Sequence, residues 1–510
     1  MDWSEFGYTL FMSIYTFLLV VVSIYGLHRY GLVFLYYLHR RKTPKPKGHF
    51  HDLPQVTVQL PMYNEPLVAD RIIRKACELD WPKDRLYIQV LDDSTDGTPE
   101  IARTAVEEAR RRGFDIDYIH RENREGFKAG ALANGLRTAK GEFVSIFDAD
   151  FVPEPSFLKR SIDYFTDPKV AVVQTRWEHM NRDDSVLTRT QAIFLDGHFA
   201  IEHMARNRSN RFMNFNGTAG TWRRSAIGDA GGWQHDTLTE DLDLSYRAQL
   251  KGWKFIFLPD LAAPAELPPE MAAFKAQQFR WTKGGAQTSL KLIPKLLLSK
   301  MPWKVKLEGF FHLTCYTMHI YMFFLILLLY PAIVLRSAPG METSVWRNLF
   351  DVSVFTLATL SASVFYVASQ VELTGDWRTG VKYLPIMMAV GIGLCVSNTK
   401  AVLEALFGRQ SEFVRTPKYA GLGVKAQNET GKKRKRAWLP YAEFGAGVYM
   451  LFCLFVCLGL GYSPMTAPFL AMFAFGFFYV SVLSFQAERR KARAAAAERN
   501  TQPATVAEKA

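Results

Sequence analysis

Two carboxylates, Asp148 and Asp150, close the apolar run that begins at Phe143. Two residues apart, they share a face of an extended chain, and at a strand end both can turn toward one cation. A hard divalent ion takes oxygen ligands, and Mg²⁺ is usually held by one or two carboxylates together with substrate phosphates. A phosphorylated donor at this edge is the chemistry such a pair serves. An isolated Asp-x-Asp can equally end a strand as a solvated turn. What weighs against the turn is an ordered series of polar clusters. Asp92-Asp93 and Gly126-Phe-Lys-Ala-Gly130 come before it, and Thr239-Glu240-Asp241 and Gln277-Gln-Phe-Arg-Trp281 come after.

The elements that must position these groups are legible around them. Short β-rich runs at residues 56–60, 86–91, 115–119, 143–147 and 170–174 alternate with helix formers at 67–79, 98–112 and 128–139. Alternation of this kind predicts a mostly parallel α/β sheet, which binds ligands beyond the carboxyl ends of its strands. The polar motifs fall at those ends. The first strand runs into Pro61-Met-Tyr-Asn-Glu65, the second into Asp92-Asp93-Ser-Thr-Asp96-Gly97, and the fourth into Asp148-Ala-Asp150.

Outside residues 50–300 the chain is dominated by apolar runs, so the reading is a membrane protein with a globular domain inserted early. Spans are predicted at 8–38, 310–335, 352–371, 444–460 and 466–485, the last two as a hairpin across Gly and Pro residues. Residues 384–407 are apolar but short, and are expected to form an interfacial or re-entrant helix. Asp2 and Glu5 precede the first span, whereas Arg40, Arg41, Lys42, Lys45 and Lys47 follow it, which predicts a cytosolic globular domain. The expected organisation is a membrane helix and basic linker over 1–48, a cytosolic domain over 49–300, a membrane region over 301–486 and a cytosolic tail over 487–510. Lysines between 281 and 307 fit a surface-lying or solvated helix.

The excess of 62 Lys+Arg over 49 Asp+Glu, a net charge of +13, fits attraction to anionic membrane lipids and phosphates. No nucleic-acid partner is implied, since no zinc-finger, helix-turn-helix or RNA-binding signature accompanies the charge. The five cysteines, Cys77, Cys315, Cys395, Cys453 and Cys457, are scattered and read as small core residues. His198 and His203, five apart, do not share an α-helical face and read as core or channel-lining groups.

Taken together, the motifs resemble those of an inverting, membrane-embedded, processive family 2 glycosyltransferase. The resemblance is to cellulose synthases and, more closely, to the plant cellulose synthase-like mannan and glucan synthases. It is carried by Gln59-Leu-Pro-Met-Tyr-Asn-Glu65, Val90-Leu-Asp-Asp-Ser-Thr-Asp96, Phe127-Lys-Ala-Gly-Ala-Leu132 and Phe215-Asn-Gly-Thr-Ala-Gly220, and covers residues 50–420. It implies a GT-A, Rossmann-like α/β domain between transmembrane helices. Glu65 and Asp93 are implied to hold the nucleoside, Lys128 to lie near the sugar nucleotide, Asp148 to contact the donor, Asp150 to ligate Mg²⁺ or Mn²⁺, and Asp241 to act as general base. Phe413-Val-Arg-Thr-Pro-Lys418 resembles the family's gating loop, Phe-x-Val-Thr-x-Lys, with Arg415 in place of Val; Thr416 and Lys418 would then reach the diphosphate. The alternative for that stretch is a basic juxtamembrane loop. No appended cyclic-di-GMP-binding domain of the bacterial cellulose synthase kind follows the last span, so that regulation is not expected.

The implied roles agree with the chemistry. A departing diphosphate needs a metal and a preplaced cation such as Arg280. A sugar hydroxyl is a poor nucleophile, so a carboxylate must take its proton. Trp281, beside Gln277 and Arg280, suits an acceptor platform, with Trp222 as a second stacking surface and Asn216 and Gly217 in a loop that a polymer end can approach. The expected partners are a nucleotide sugar, UDP-glucose in preference to GDP-mannose, and a growing β-1,4-glucan or mannan exported through the membrane helices. Single transfer to a lipid acceptor and a catalytically inert membrane scaffold are the other readings.

Overall fold

A computed structural model describes residues 3–336, 345–409, 418, 438–460 and 466–501. Seven strands form one sheet: β1 (Val56–Met62), β2 (Leu86–Asp92), β3 (Asp115–His120), β4 (Phe143–Ile146), β5 (Val170–His179), β6 (Gly220–Arg223) and β7 (Lys254–Ala265). Their spatial order is β3-β2-β1-β4-β6-β5-β7. The pairs β3/β2, β2/β1, β1/β4 and β5/β7 are parallel, while β6 lies antiparallel to both β4 and β5. The sheet is therefore mixed at its centre.

Every residue of β1, β2 and β4 is buried, which is why those segments read as near-continuous apolar runs. One face is covered by helices Ala69–Cys77 and Thr98–Arg111, which bury Ile72, Ile73 and Val106 against Val58, Leu60 and Ile88. The other face packs Leu132, Val144 and Phe257 against Leu32 and Tyr36 of the long N-terminal helix Trp3–His39. The end of an apolar helix is thus built into the core of the domain.

Trp222, expected as a stacking surface, is instead core. It sits on β6 with no exposed surface, edge-on to Phe215, Trp233 and Phe255. The antiparallel pairing of β6 to β4 and β5 fixes this, and no sugar can reach the ring.

Four helical segments are long and apolar enough to cross a membrane among the described residues: Phe6–His39, Trp303–Leu335, Leu439–Gly459 and Ala467–Arg490. The expected span at 352–371 lies within helix Val345–Thr374. Helices Trp377–Gly393 and Cys395–Leu406 meet at a 41° bend, the shape of a broken span or a re-entrant segment. The turn expected between the last two spans lies outside the described residues.

Helix Met271–Leu298 bridges the domain and the apolar helices. Its lysines are not all at the surface, in contrast to the surface-lying or solvated helix expected over 281–307. Lys283 is fully buried and bonds Glu404 at 2.9 Å, and Lys275 bonds the buried Glu443 at 2.6 Å. Each ammonium is satisfied by a carboxylate from a helix more than 100 residues downstream, since burying either charge alone would be strongly unfavourable. Four of the five cysteines are buried, Cys315 is exposed, and none is disulfide-bonded.

Candidate active site

The carboxyl ends of β1, β2 and β4 and the start of helix Glu240–Leu250 enclose one cleft, with helix Met271–Leu298 as its far wall. Its volume is about 180 Å³. Glu65, Asp93, Lys128, Asp148, Asp150 and Asp241 line it, as do Asn216, Gly217, Gln277, Arg280, Trp281 and Lys418. Thr416 lies outside the described residues.

Strand register accounts for the first carboxylates. Met62 pairs with Asp92, so Glu65 and Asp93 leave adjacent strand ends together, and Asp93 N–H donates to the Met62 carbonyl at 3.1 Å. Asp92 faces away, accepting from the Tyr118 hydroxyl (2.7 Å) and the Ser94 amide (2.8 Å). Asp93 is held by Arg121, whose Nε and Nη2 reach Oδ1 at 2.7 Å and Oδ2 at 2.5 Å. The same guanidinium donates to the carbonyls of Glu125 and Phe127, tying the loop before Lys128 to the β2 end.

The loops around the cleft carry unusual backbone. Asn64, Phe127 and Ala219 all lie at positive φ, between 51° and 53°. Non-glycine residues seldom adopt this region, and such strain concentrates at functional sites.

Lys128 donates to Asp148 Oδ1 and, at 2.9 Å, to the Gly217 carbonyl. Burial works against its charge, but Asp148, Glu240 and Asp241 outweigh it and hold the ammonium above the usual lysine range. Asp150 is nearly fully buried. Its Oδ2 accepts from Lys418 at 2.6 Å, while Oδ1 has no hydrogen-bond partner among the described residues. A buried carboxylate oxygen without a donor suits a cation, so the Asp148–Asp150 pair fits the expected metal. No group of three or more His, Cys, Asp or Glu side chains is placed to hold a metal ion among the described residues, so a metal on this pair would draw other ligands from substrate or water.

Glu240 and Asp241 occupy the first turn of their helix, where the exposed N–H groups favour negative charge. Burial nevertheless raises the Asp241 carboxyl to about 7, with the neighbouring Glu240 charge adding to it. Burial raises Glu240 as well. Gly284 lets the helix carrying Arg280 pack close on this segment, because a Cβ there would lie 2.8 Å from the Thr239 amide nitrogen. Gln277, Arg280 and Trp281, at spacings of three and four, share the face that turns to the cleft. Burial lowers the Arg280 value, and Glu240, Asp148 and Asp241 oppose that shift.

Some lining groups carry no signal in the motifs. The Arg124 guanidinium lies 3.4 Å from the centre of the Tyr63 ring, and both residues line the cleft with Glu65 and Asp93. His179, at the end of β5, is buried with neither ring nitrogen hydrogen-bonded among the described residues, and burial lowers its pKa to about 4. His198 and His203 do come together. Residues Gly197–His203 form a π-helix, whose wider turn brings residues five apart into register, and the two rings are centred 4.3 Å apart. The α-helical spacing assumed for them was the wrong period.

The family described as "Glycosyltransferase like family 2" matches residues 54–284. Glucomannan 4-beta-mannosyltransferase 2 of Arabidopsis thaliana is 39% identical over 397 residues, covering 75% of this chain and 71% of that protein. Glucomannan 4-beta-mannosyltransferase 1 of Oryza sativa subsp. japonica is 37% identical, with coverage of 80% and 78%. Among solved structures, the mannosyltransferase PcManGT from Pyrobaculum calidifontis, in complex with GDP-Man and Mn²⁺, superposes with a TM-score of 0.52 at 20% identity. It covers 77% of this chain and 100% of its own. That likeness bears out the GT-A-like mixed sheet.

Proposed function

This chain belongs to glycosyltransferase family 2, with the plant cellulose synthase-like glucomannan 4-beta-mannosyltransferases among its relatives, and we propose that it elongates a β-1,4-linked mannan from GDP-mannose. The relatives' names favour mannose, and hence GDP-mannose over the UDP-glucose preferred from the motifs alone. The observation that carries the reading is the Asp241 carboxylate. It is raised toward neutrality in a cleft that also holds Lys128, Arg280 and a buried acidic pair.

The acceptor hydroxyl attacks the anomeric carbon as its bond to the diphosphate oxygen breaks, with inversion, and Asp241 takes the hydroxyl proton. A base with a pKa near the working pH is suited to this and contributes about 10²–10⁴-fold. Lys128, Arg280 and Lys418 face the departing diphosphate, and preplaced cations stabilise charge as it develops. Mg²⁺ or Mn²⁺ held by Asp148 and Asp150 would neutralise further diphosphate charge when bound. Glu65 and Asp93 hold the nucleoside. Trp281 and Gln277 receive the acceptor sugar, with the His179 nitrogens, which have no hydrogen-bond partner among the described residues, within the same cleft as hydrogen-bonding groups for its hydroxyls.

Processive growth and passage of the product between the apolar helices, with the catalytic domain on the cytosolic side, complete the proposal. The test is purified protein in nanodiscs given Mg²⁺ or Mn²⁺ with radiolabelled GDP-mannose or UDP-glucose, followed by sizing of the product. Long mannan, lost in Asp241→Asn and with EDTA, is the expected result. Lipid-extractable monoglycoside alone would refute polymer synthesis, and incorporation from UDP-glucose alone would refute the donor.

A further inference from the structure

Asn216 was expected to touch the acceptor, yet both ends of its side-chain amide are already engaged. His203 Nε2 donates to Asn216 Oδ1 at 2.5 Å, and Asn216 Nδ2 donates to His198 Nε2 at 2.9 Å. His198 must then carry its proton on Nδ1, which donates to Glu202 Oε2 at 2.9 Å. Arg206 continues the chain, lying 3.4 Å from Glu202 and donating from Nε to Glu308 Oε1 at 3.0 Å. Glu308 Oε2 in turn pairs with His28 Nε2 at 2.9 Å. Donation runs from His203 through Asn216 and His198 to Glu202, and beyond it Arg206 donates to both Glu202 and Glu308. The chain links the active-site loop to helix Trp303–Thr314 and to the N-terminal apolar helix.

The backbone of the same loop is equally constrained. Gln174 Oε1 accepts from the Asn216 amide at 2.9 Å, and Gln174 Nε2 donates to the Thr218 and Ala219 carbonyls. The next residue is the sensitive one. The Gly217 carbonyl accepts from Lys128, and a Cβ on Gly217 would lie 3.0 Å from Asp241 Oδ2. Whatever orients Asn216 therefore sets the distance between this loop, the donor lysine and the base.

We propose that Asn216 is a positioning residue, and that the hydrogen-bonded chain His203–Asn216–His198–Glu202–Arg206–Glu308–His28 makes the N-terminal apolar helix part of the apparatus that holds the active-site loop. Its deepest members are His203 with no exposed surface, Arg206 at 3% exposed and Glu308 at 5% exposed, while His198, Glu202, His28 and the cleft-lining Asn216 are partly buried. A network of linked polar side chains favours one arrangement, because breaking a link leaves a largely buried polar group without its partner. The π-helical turn fits such a role, since a local departure from the α-helix often marks a functional site. The inference rests on the reading of Asp241 as the base.

The test is a double-mutant cycle between the two ends of the chain, in full-length protein in nanodiscs. Asn216→Ala should lower kcat by up to about 10²-fold, the scale of a displacement near 1 Å, while GDP-mannose affinity by calorimetry stays within about twofold. Glu308→Gln should lower kcat in the same manner, and the double variant should lose no more than Asn216→Ala alone. His203→Gln, which keeps a donor for Asn216 Oδ1, should recover much of the rate lost in His203→Ala. Additive losses in the cycle, or an unchanged kcat in either single variant, overturn the proposal. So does a parallel fall of donor affinity and thermal stability with kcat, which would make the chain merely structural. If Glu308→Gln does not fold, His28→Gln replaces it in the cycle under the same criteria. Asp241→Asn, assayed alongside, separates the two ideas: full activity in that variant would refute the base while leaving the coupling measurable.

Discussion

Replacing Glu240 by Gln should move the acid limb of the rate profile while leaving the base in place. Asp241 titrates at about 7 against an ordinary 3.8, with burial the largest cause and the Glu240 charge the next. Because burial carries the larger share of the rise, removing the Glu240 charge should lower the value by on the order of one unit, or ~1.4 kcal/mol. The sign follows from the role. A general base works only when deprotonated, so kcat/KM falls as pH drops through its pKa and continues to fall tenfold per unit below it. At pH 6, a group with a pKa of about 7 is roughly one-tenth deprotonated, and one with a pKa of about 6 is half deprotonated. Glu240→Gln should therefore keep about fivefold more of its own plateau rate at that pH than the parent does. Initial rates of radiolabelled GDP-mannose incorporation at subsaturating donor, each profile normalised to its plateau, give the comparison. An acid limb that stays where it was in Glu240→Gln would refute the electrostatic argument. A parent profile flat well below neutrality would refute the assignment of the base.

Gly217→Ala should lose at least tenfold in kcat with donor affinity preserved, because φ is +80° there and the new Cβ meets the base at 3.0 Å; stopped assays beside donor calorimetry decide it. Trp222→Ala should cost about 3–5 kcal/mol of stability as a core cavity, seen in thermal melts, whereas Trp281→Ala should leave the melt in place and shorten the product on a sizing column. Glu404→Gln should destabilise by about 1–3 kcal/mol by removing a charge-assisted hydrogen-bond partner of the buried Lys283, and Lys283→Met combined with Glu404→Leu should recover most of that loss in the same melts.

What the sequence makes legible is what local pattern encodes. The ends of β1, β2 and β4 can be found because apolar runs stop at carboxylates, and parallel pairing gathers those ends at one edge. Asp93, Asp148 and Asp150 converge for that reason, and Asp241 and Arg280 join them from two helices, four segments in all. Trp222 shows the limit. Its four-residue strand is too short to announce itself, and its depth is set by antiparallel partners in β4 and β5. The same holds for Lys283, whose carboxylate partner lies 121 residues away on another helix and turns a surface-looking lysine into a buried one. His198 and His203 fail differently. Their contact depends on a change of helical period that no spacing rule for an α-helix contains, and they share a hydrogen-bond partner, Asn216, in a loop that follows the helix. A carboxylate or cation that faces substrate leaves its mark as a motif. A side chain that only holds such a residue in place is specified by the fold, so the groups around Asn216 come into view only once the apolar helices are packed against the sheet.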